Sequence, residues 1–258
     1  IAVSELGLLR PDWTSFERNG TSIHSHFPDN PQVIRQIAQK AGPIDFTPRF
    51  KTDFLKVAVP DIIYNLLNTA SFFLYPHYRR HTIYFPPLEY AAHGLRLLTQ
   101  KHRNAAVRRH IAKLRQSGAP VFLMPLQLAG DFQIRANAAF ASMTEALEQI
   151  VASFRRCAPE NAILLLKTHP LDNGLDRLGH DIRSLAHAYN LKGRLVLADG
   201  GNLSDFIDLV RGALTINSTA GFELMAHNIP VKMLSPALYI DAAEHFGQAR
   251  DRDRPVEA

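Results

Sequence analysis

Between about 121 and 235, short apolar runs suited to strands alternate with segments of helical spacing, and the connections between them are short. That rhythm is the signature of a parallel sheet with crossover helices, so the fold class is α/β. The strands read as 120–126, 162–167, 194–198, 212–216 and 230–234. Between the first two, Phe140, Met143, Leu147, Ile150, Val151 and Phe154 recur at helical spacing and predict a helix from Asn137 to Cys157. Asn202-Leu-Ser-Asp caps a predicted helix through Val210, and Ser218 or Thr219 caps another through Ala226. Residues 119–240 therefore read as a Rossmann-like lobe.

Residues 1–118 lack that rhythm. Nine prolines from Pro11 to Pro87 punctuate short helical segments, which predicts a separate, mostly helical lobe ending in a helix over about 88–116. Gly118-Ala-Pro is the expected domain boundary. The tail, 241–258, is charged and poor in apolar residues, and it reads as frayed. The opening Ile-Ala-Val-Ser-Glu resembles the end of a strand already under way, so the chain reads as a piece of a longer protein with an incomplete N-terminal lobe.

At 258 residues, with 46% hydrophobic and 21% charged, the chain can form one large domain or two small ones. A net charge of +5 favours an acidic partner: nucleic acid, an anionic lipid surface or a phosphorylated substrate. No recognised nucleic-acid motif accompanies the charge, and no nucleic-acid partner is expected. The single Cys157 excludes an internal disulfide framework and a multi-Cys metal site, which suits a reducing cytoplasm. No run approaches ~18 consecutive apolar residues.

Three predicted strands end in polar clusters, and the C-terminal ends of parallel strands are where open α/β sheets bind ligands. The first cluster is Gln127-Leu-Ala-Gly-Asp131. A carboxylate there can attack an electrophilic sugar carbon or act as a base; the competing reading is a helix N-cap. The second, Lys167-Thr-His169-Pro170, pairs two groups able to neutralise phosphate, or else holds a loop histidine. The third, Asn217-Ser218-Thr219-Ala-Gly221, is a strand-to-helix turn suited to an anion, to capping, or to both. Glu223, one turn on, holds ribose hydroxyls or faces solvent.

Four segments together resemble the bacterial capsule polysaccharide biosynthesis and export family, understood as retaining β-Kdo transferases. They are Glu5-Leu-Gly-Leu-Leu-Arg-Pro-Asp-Trp-Thr-Ser-Phe-Glu17, Pro125-Leu-Gln-Leu-Ala-Gly-Asp131, Lys167-Thr-His-Pro-Leu-Asp172 and Thr215-Ile-Asn-Ser-Thr-Ala-Gly221. The resemblance implies a GT-B architecture of two Rossmann-like lobes, with CMP-β-Kdo as donor substrate and no cofactor or metal. It implies a lipid-linked acceptor, a phosphatidylglycerol-type Kdo linker, and a cytoplasmic protein peripheral on the inner membrane. It makes Asp131 the nucleophile that forms a covalent Kdo adduct, with Gln127 in its motif, and places His169 and Pro170 at the CMP phosphate. Gln127, Lys167, Asn217, Ser218, Thr219 and Glu223 complete the donor side. Double displacement also needs an acid/base, for which Glu5 is the candidate and Glu17 the reserve. The sequence departs from the family pattern at Leu8, where an aromatic is expected, and at Phe132, where Ser is expected.

Two alternatives stand beside this reading: another GT-B sugar-nucleotide enzyme, such as a UDP-sugar transferase or an epimerase, and a non-catalytic export or assembly factor. The basic stretch from Lys101, His102 and Arg103 through Arg108, Arg109, Lys113 and Arg115 reads as a solvated face or as a contact for anionic lipid headgroups. The run Tyr75-Pro-His-Tyr-Arg-Arg-His81 carries the same two readings.

Overall fold

The computed structural model describes residues 1–6, 14–20, 24–28, 30–41, 53–78, 83–128, 130–131, 134, 138, 140 and 142–235. The predicted tail, 241–258, lies outside them.

Five parallel strands form one sheet: β3 (Val121–Pro125), β4 (Ile163–Lys167), β5 (Leu195–Ala198), β6 (Val210–Thr215) and β7 (Val231–Met233). Their order is β5-β4-β3-β6-β7. The chain builds outward from β3 through β4 to β5, then returns to lay β6 against the other side of β3. The β3/β6 junction is thus the topological switch point, where the crossover connections diverge and leave a crevice.

Strand sequences such as Ile-Leu-Leu-Leu in β4 are apolar throughout because both sheet faces are covered. One face carries α4 (Met143–Cys157) and α5 (Leu178–Ala188), with Leu147, Ile150, Val151, Phe154 and Ile182 packed on Met124, Leu164 and Leu166. The other carries α3 (Pro86–Ser117), a 3₁₀ turn (Leu203–Leu209) and the short α6 (Ala220–Ala226), with Val107, Ile111, Leu114, Phe206 and Leu224 packed on Val121, Leu123 and Leu165. Val107, Ile111 and Leu114 follow the i, i+4, i+7 spacing of one helix face.

Several element limits differ from expectation for local reasons. α4 begins at Met143, since the Ser142 hydroxyl accepts the Glu145 amide at 3.2 Å and so caps the helix there. The predicted helix after Asn202 is a 3₁₀ turn with a capping box formed by Asn202 and Asp205, and Val210 already belongs to β6. Gly118 ends α3 in the left-handed conformation, φ 63°. The sheet core does not stop at this residue, because the last turns of α3 are buried in it.

The N-terminal segment is not wholly helical. An antiparallel hairpin, β1 (Ala2–Leu6) with β2 (Thr14–Arg18), precedes α1 (Pro31–Ala41) and α2 (Phe54–Ala70). The Asp53 carboxylate caps α2 by accepting the Leu55 amide at 3.0 Å, and the Tyr90 hydroxyl of α3 donates to Asp61 of α2 at 2.9 Å.

Candidate active site

Register brings the polar clusters level. Pro125 pairs with Lys167, and Leu123 pairs with Ala213. Gln127 and His169 therefore lie two residues past the first pair, and Gln127 and Asn217 four past the second. β4 and β6 flank β3, so their ends stand two strand spacings apart, roughly 10 Å.

At the switch point the level ends touch. Gln127 Nε2 donates to Asn217 Oδ1 at 3.0 Å and to Asp131 Oδ2 at 3.5 Å. Gln127 and Asn217 are each 6% exposed, while Asp131 stands half-buried at the crevice. The loop to Asp131 is a tight turn in which its amide donates to the Leu128 carbonyl at 2.9 Å and its own carbonyl accepts Ile134 N–H at 3.1 Å. A Cβ on Gly130 would come within 3.0 Å of Ile83, so the turn lies against the segment leading into α3.

His169 sits in the turn after β4, its Nδ1 accepting the Leu171 amide at 3.1 Å. An acceptor Nδ1 places the ring proton on Nε2. Pro170 is exposed and has no amide to extend the strand. Ser218 donates its amide to Thr215 Oγ1 at 3.1 Å, and its own hydroxyl accepts the Ala220 amide at 3.2 Å. Of the two expected caps, the Ser218 side chain is the one that accepts; Thr219 makes no side-chain cap. Glu223 is exposed on the first turn of α6.

One expected placement changes. Lys167 was expected beside the phosphate, but strand alternation turns it to the α3 face with Ile163 and Leu165. Its ammonium is buried and donates to the Thr168 carbonyl at 3.0 Å. Burial lowers its pKa, while Asp205 and Asp199 oppose the shift. Glu5 is exposed on β1, in register with Ser15. Glu17 is held by Ser25 Oγ at 2.6 Å and the His26 amide at 3.0 Å.

Beside the crevice lies a charged knot that the sequence reading did not anticipate. Asp199, just past β5, binds Arg96 and Arg103 of α3, the latter at 3.0 Å, and accepts from Thr168 Oγ1 at 3.3 Å. Arg96 also reaches Asp172 at 3.3 Å. Asn104 Oδ1 accepts the Gly201 amide at 3.0 Å. At Gly200, φ 135°, a Cβ would meet that Oδ1 at 2.7 Å, so glycine is needed there. Arg103 is therefore no part of a solvated basic face, whereas Lys101, His102, Arg108, Arg109, Lys113 and Arg115 are exposed. The signal for the knot was Arg96 and Arg103 at i, i+7, facing an Asp-Gly-Gly at a strand end. Asp199→Ala should lower folding stability by about 1–2 kcal/mol, discounted for partial exposure, and urea denaturation measures it.

Tyr84 donates to Asp176 and so ties the approach to α3 to the loop after His169. Burial, then the Asp176 carboxylate, raises the Tyr84 pKa to about 12. A folded-state pKa above the unfolded 10.0 means that the tie's contribution is complete below pH 10 and is lost between about 10 and 12. Ultraviolet titration should show Tyr84 and Tyr90, also raised to about 12, ionising above the ordinary tyrosine value of 10.0. Asp176→Asn should bring Tyr84 back toward 10.

Among the described residues, no group of three or more His, Cys, Asp or Glu could hold a metal, and no helix is long and apolar enough to cross a membrane.

Sheet order and level strand ends define a Rossmann-type α/β protein with its topological switch point at the β3/β6 junction. The chain belongs to the capsule polysaccharide biosynthesis protein family, whose model matches residues 1–243. It is 27% identical over 237 residues to the capsule polysaccharide export protein KpsS of Escherichia coli, covering 91% of this chain and 60% of that protein. It is 29% identical over 252 residues to the capsule polysaccharide modification protein LipB of Neisseria meningitidis serogroup A, covering 91% of this chain and 57% of that protein. The chain thus spans under two thirds of the length of these relatives. A solved structure, the beta Kdo 2,7 transferase KpsC of Thermosulfurimonas dismutans, is 18% identical, with 55% of this chain and 45% of that one covered. Its TM-score of 0.35 does not establish a shared fold.

Proposed function

We propose that the protein is a retaining β-Kdo transferase that moves Kdo from CMP-β-Kdo to a lipid-linked acceptor during capsular polysaccharide biosynthesis. The observation that carries this reading is the Asp131 carboxylate beside Gln127 and Asn217 at the switch point, where open α/β sheets bind ligands. Kdo as the sugar rests on the resemblance of the four sequence segments.

In this reading Asp131 attacks the anomeric carbon as its bond to the CMP phosphate breaks, and CMP leaves with the electron pair. The acceptor hydroxyl then gives its proton to a carboxylate, for which Glu5 is the candidate, and displaces Asp131 from the same carbon. Two inversions return the β configuration. His169 meets the phosphate through Nε2–H, with Pro170, Asn217, Ser218 and Thr219 on the donor side and Glu223 at the ribose. Lys167 acts at one remove, holding the carbonyl of Thr168 and so the turn that bears His169.

The proposed architecture is GT-B, with the lobe described above on the donor side. The proposed setting is the cytoplasmic face of the inner membrane, where exposed Arg108, Arg109, Lys113 and Arg115 meet anionic headgroups. The names of the relatives, export and modification proteins, favour a second reading: a non-catalytic assembly factor that binds glycolipid. Incubating the full-length protein with CMP-Kdo and a lipid-linked acceptor separates the two. Transfer of one Kdo unit, seen by mass spectrometry, supports the transferase; acceptor binding without CMP release supports the factor.

A further inference from the structure

The Gln127 amide is fully constrained on one side and bare on the other. Nε2 spends its two N–H groups on Asn217 Oδ1, at 3.0 Å, and Asp131 Oδ2, at 3.5 Å. The amide cannot be turned over, because a carboxylate only accepts and a reversed amide would set Oε1 against it. Gln127 Oε1 is left buried, with no hydrogen-bond partner among the described residues, in a side chain only 6% exposed. Buried acceptors are almost always paired, and an orphan at a strand end beside a crevice marks a place where a ligand supplies the donor.

We infer that Gln127 does two jobs: it positions the Asp131 carboxylate through Nε2, and it reads a hydroxyl of the transferred sugar through Oε1. This inference rests on the transferase reading. A sugar hydroxyl is the chosen donor because the same amide touches the carboxylate that must meet the anomeric carbon, so Oε1 and the reacting centre share one neighbourhood. An amino group of the nucleobase has the same donor chemistry and is distinguished by the test. Asn217 is the anchor: by accepting from Nε2 it fixes the plane of the amide, and so both the aim of Oε1 and the seat of Asp131.

The test uses full-length protein and two variants. Gln127→Met keeps the volume and removes both functions; it should bind CMP as wild type does and slow transfer about 5- to 150-fold, the worth of the two hydrogen bonds lost. Gln127→Glu replaces the donor to Asp131 with a second carboxylate, and like charges that close raise each other's pKa. Its acidic limb in the pH–rate profile should therefore move to higher pH, a shift that a merely structural residue would not produce. Wild-type rates and pH profile in both variants would overturn the inference. So would loss of CMP affinity in Gln127→Met, which would assign Oε1 to the nucleotide or to holding the site together. Failure of the transferase reading is seen separately, as acceptor binding by the wild-type protein without CMP release.

Discussion

Asp131→Asn should reduce transfer by more than about a hundredfold while leaving CMP affinity and folding almost unchanged. Asn matches Asp in shape and nearly equals it as a helix N-cap, so a capping role would survive the change. The Leu128 and Ile134 contacts that shape the turn are backbone bonds and do not depend on the side chain. Only the negative charge is lost. A loss confined to turnover is the signature of an interaction needed in the transition state, whereas a capping residue would show near-normal rates.

His169→Ala should weaken CMP binding and slow transfer by about 10- to 150-fold, the equivalent of about 1.5–3 kcal/mol for a hydrogen bond to a charged phosphate. The same side chain also shapes its turn, accepting the Leu171 amide, so a second variant is needed. His169→Asn keeps an acceptor that can reach the amide two residues on, as Asn does in turns, but loses the ring N–H on the phosphate side. If His169 acts on the donor, Asn should restore stability and not CMP affinity. Restoration of both by isothermal titration would make the residue structural.

Much of this was legible because a two-sided parallel sheet writes itself plainly. Apolar runs such as Ile-Leu-Leu-Leu, bounded by breakers and separated by helical periodicity, located all five strands to within two or three residues. Strand ends are legible for the same reason, and they put Gln127, His169 and Asn217 at one level. Side-chain direction was harder. Lys167 and Thr168 read alike on the page, yet whether each serves the crevice or the α3 face depends on the strand's phase and on Asp199, 31 residues past Thr168. The role of α3 was misjudged because its low amphipathicity conceals a core contact confined to three positions, Val107, Ile111 and Leu114. Arg103 looked like one more surface cation in a basic run, since its partner Asp199 is 96 residues distant in sequence. Long-range ion pairs leave no local periodicity to read.

The most direct test of the account is covalent trapping at Asp131. Full-length protein is mixed with CMP-Kdo in the absence of acceptor, quenched in acid, digested and analysed by mass spectrometry. The account predicts a Kdo-sized mass increment on the peptide containing Asp131 in the wild type, and none in Asp131→Asn. An increment mapped to Glu5, or an unmodified Asp131 peptide from enzyme that turns over normally, would contradict it.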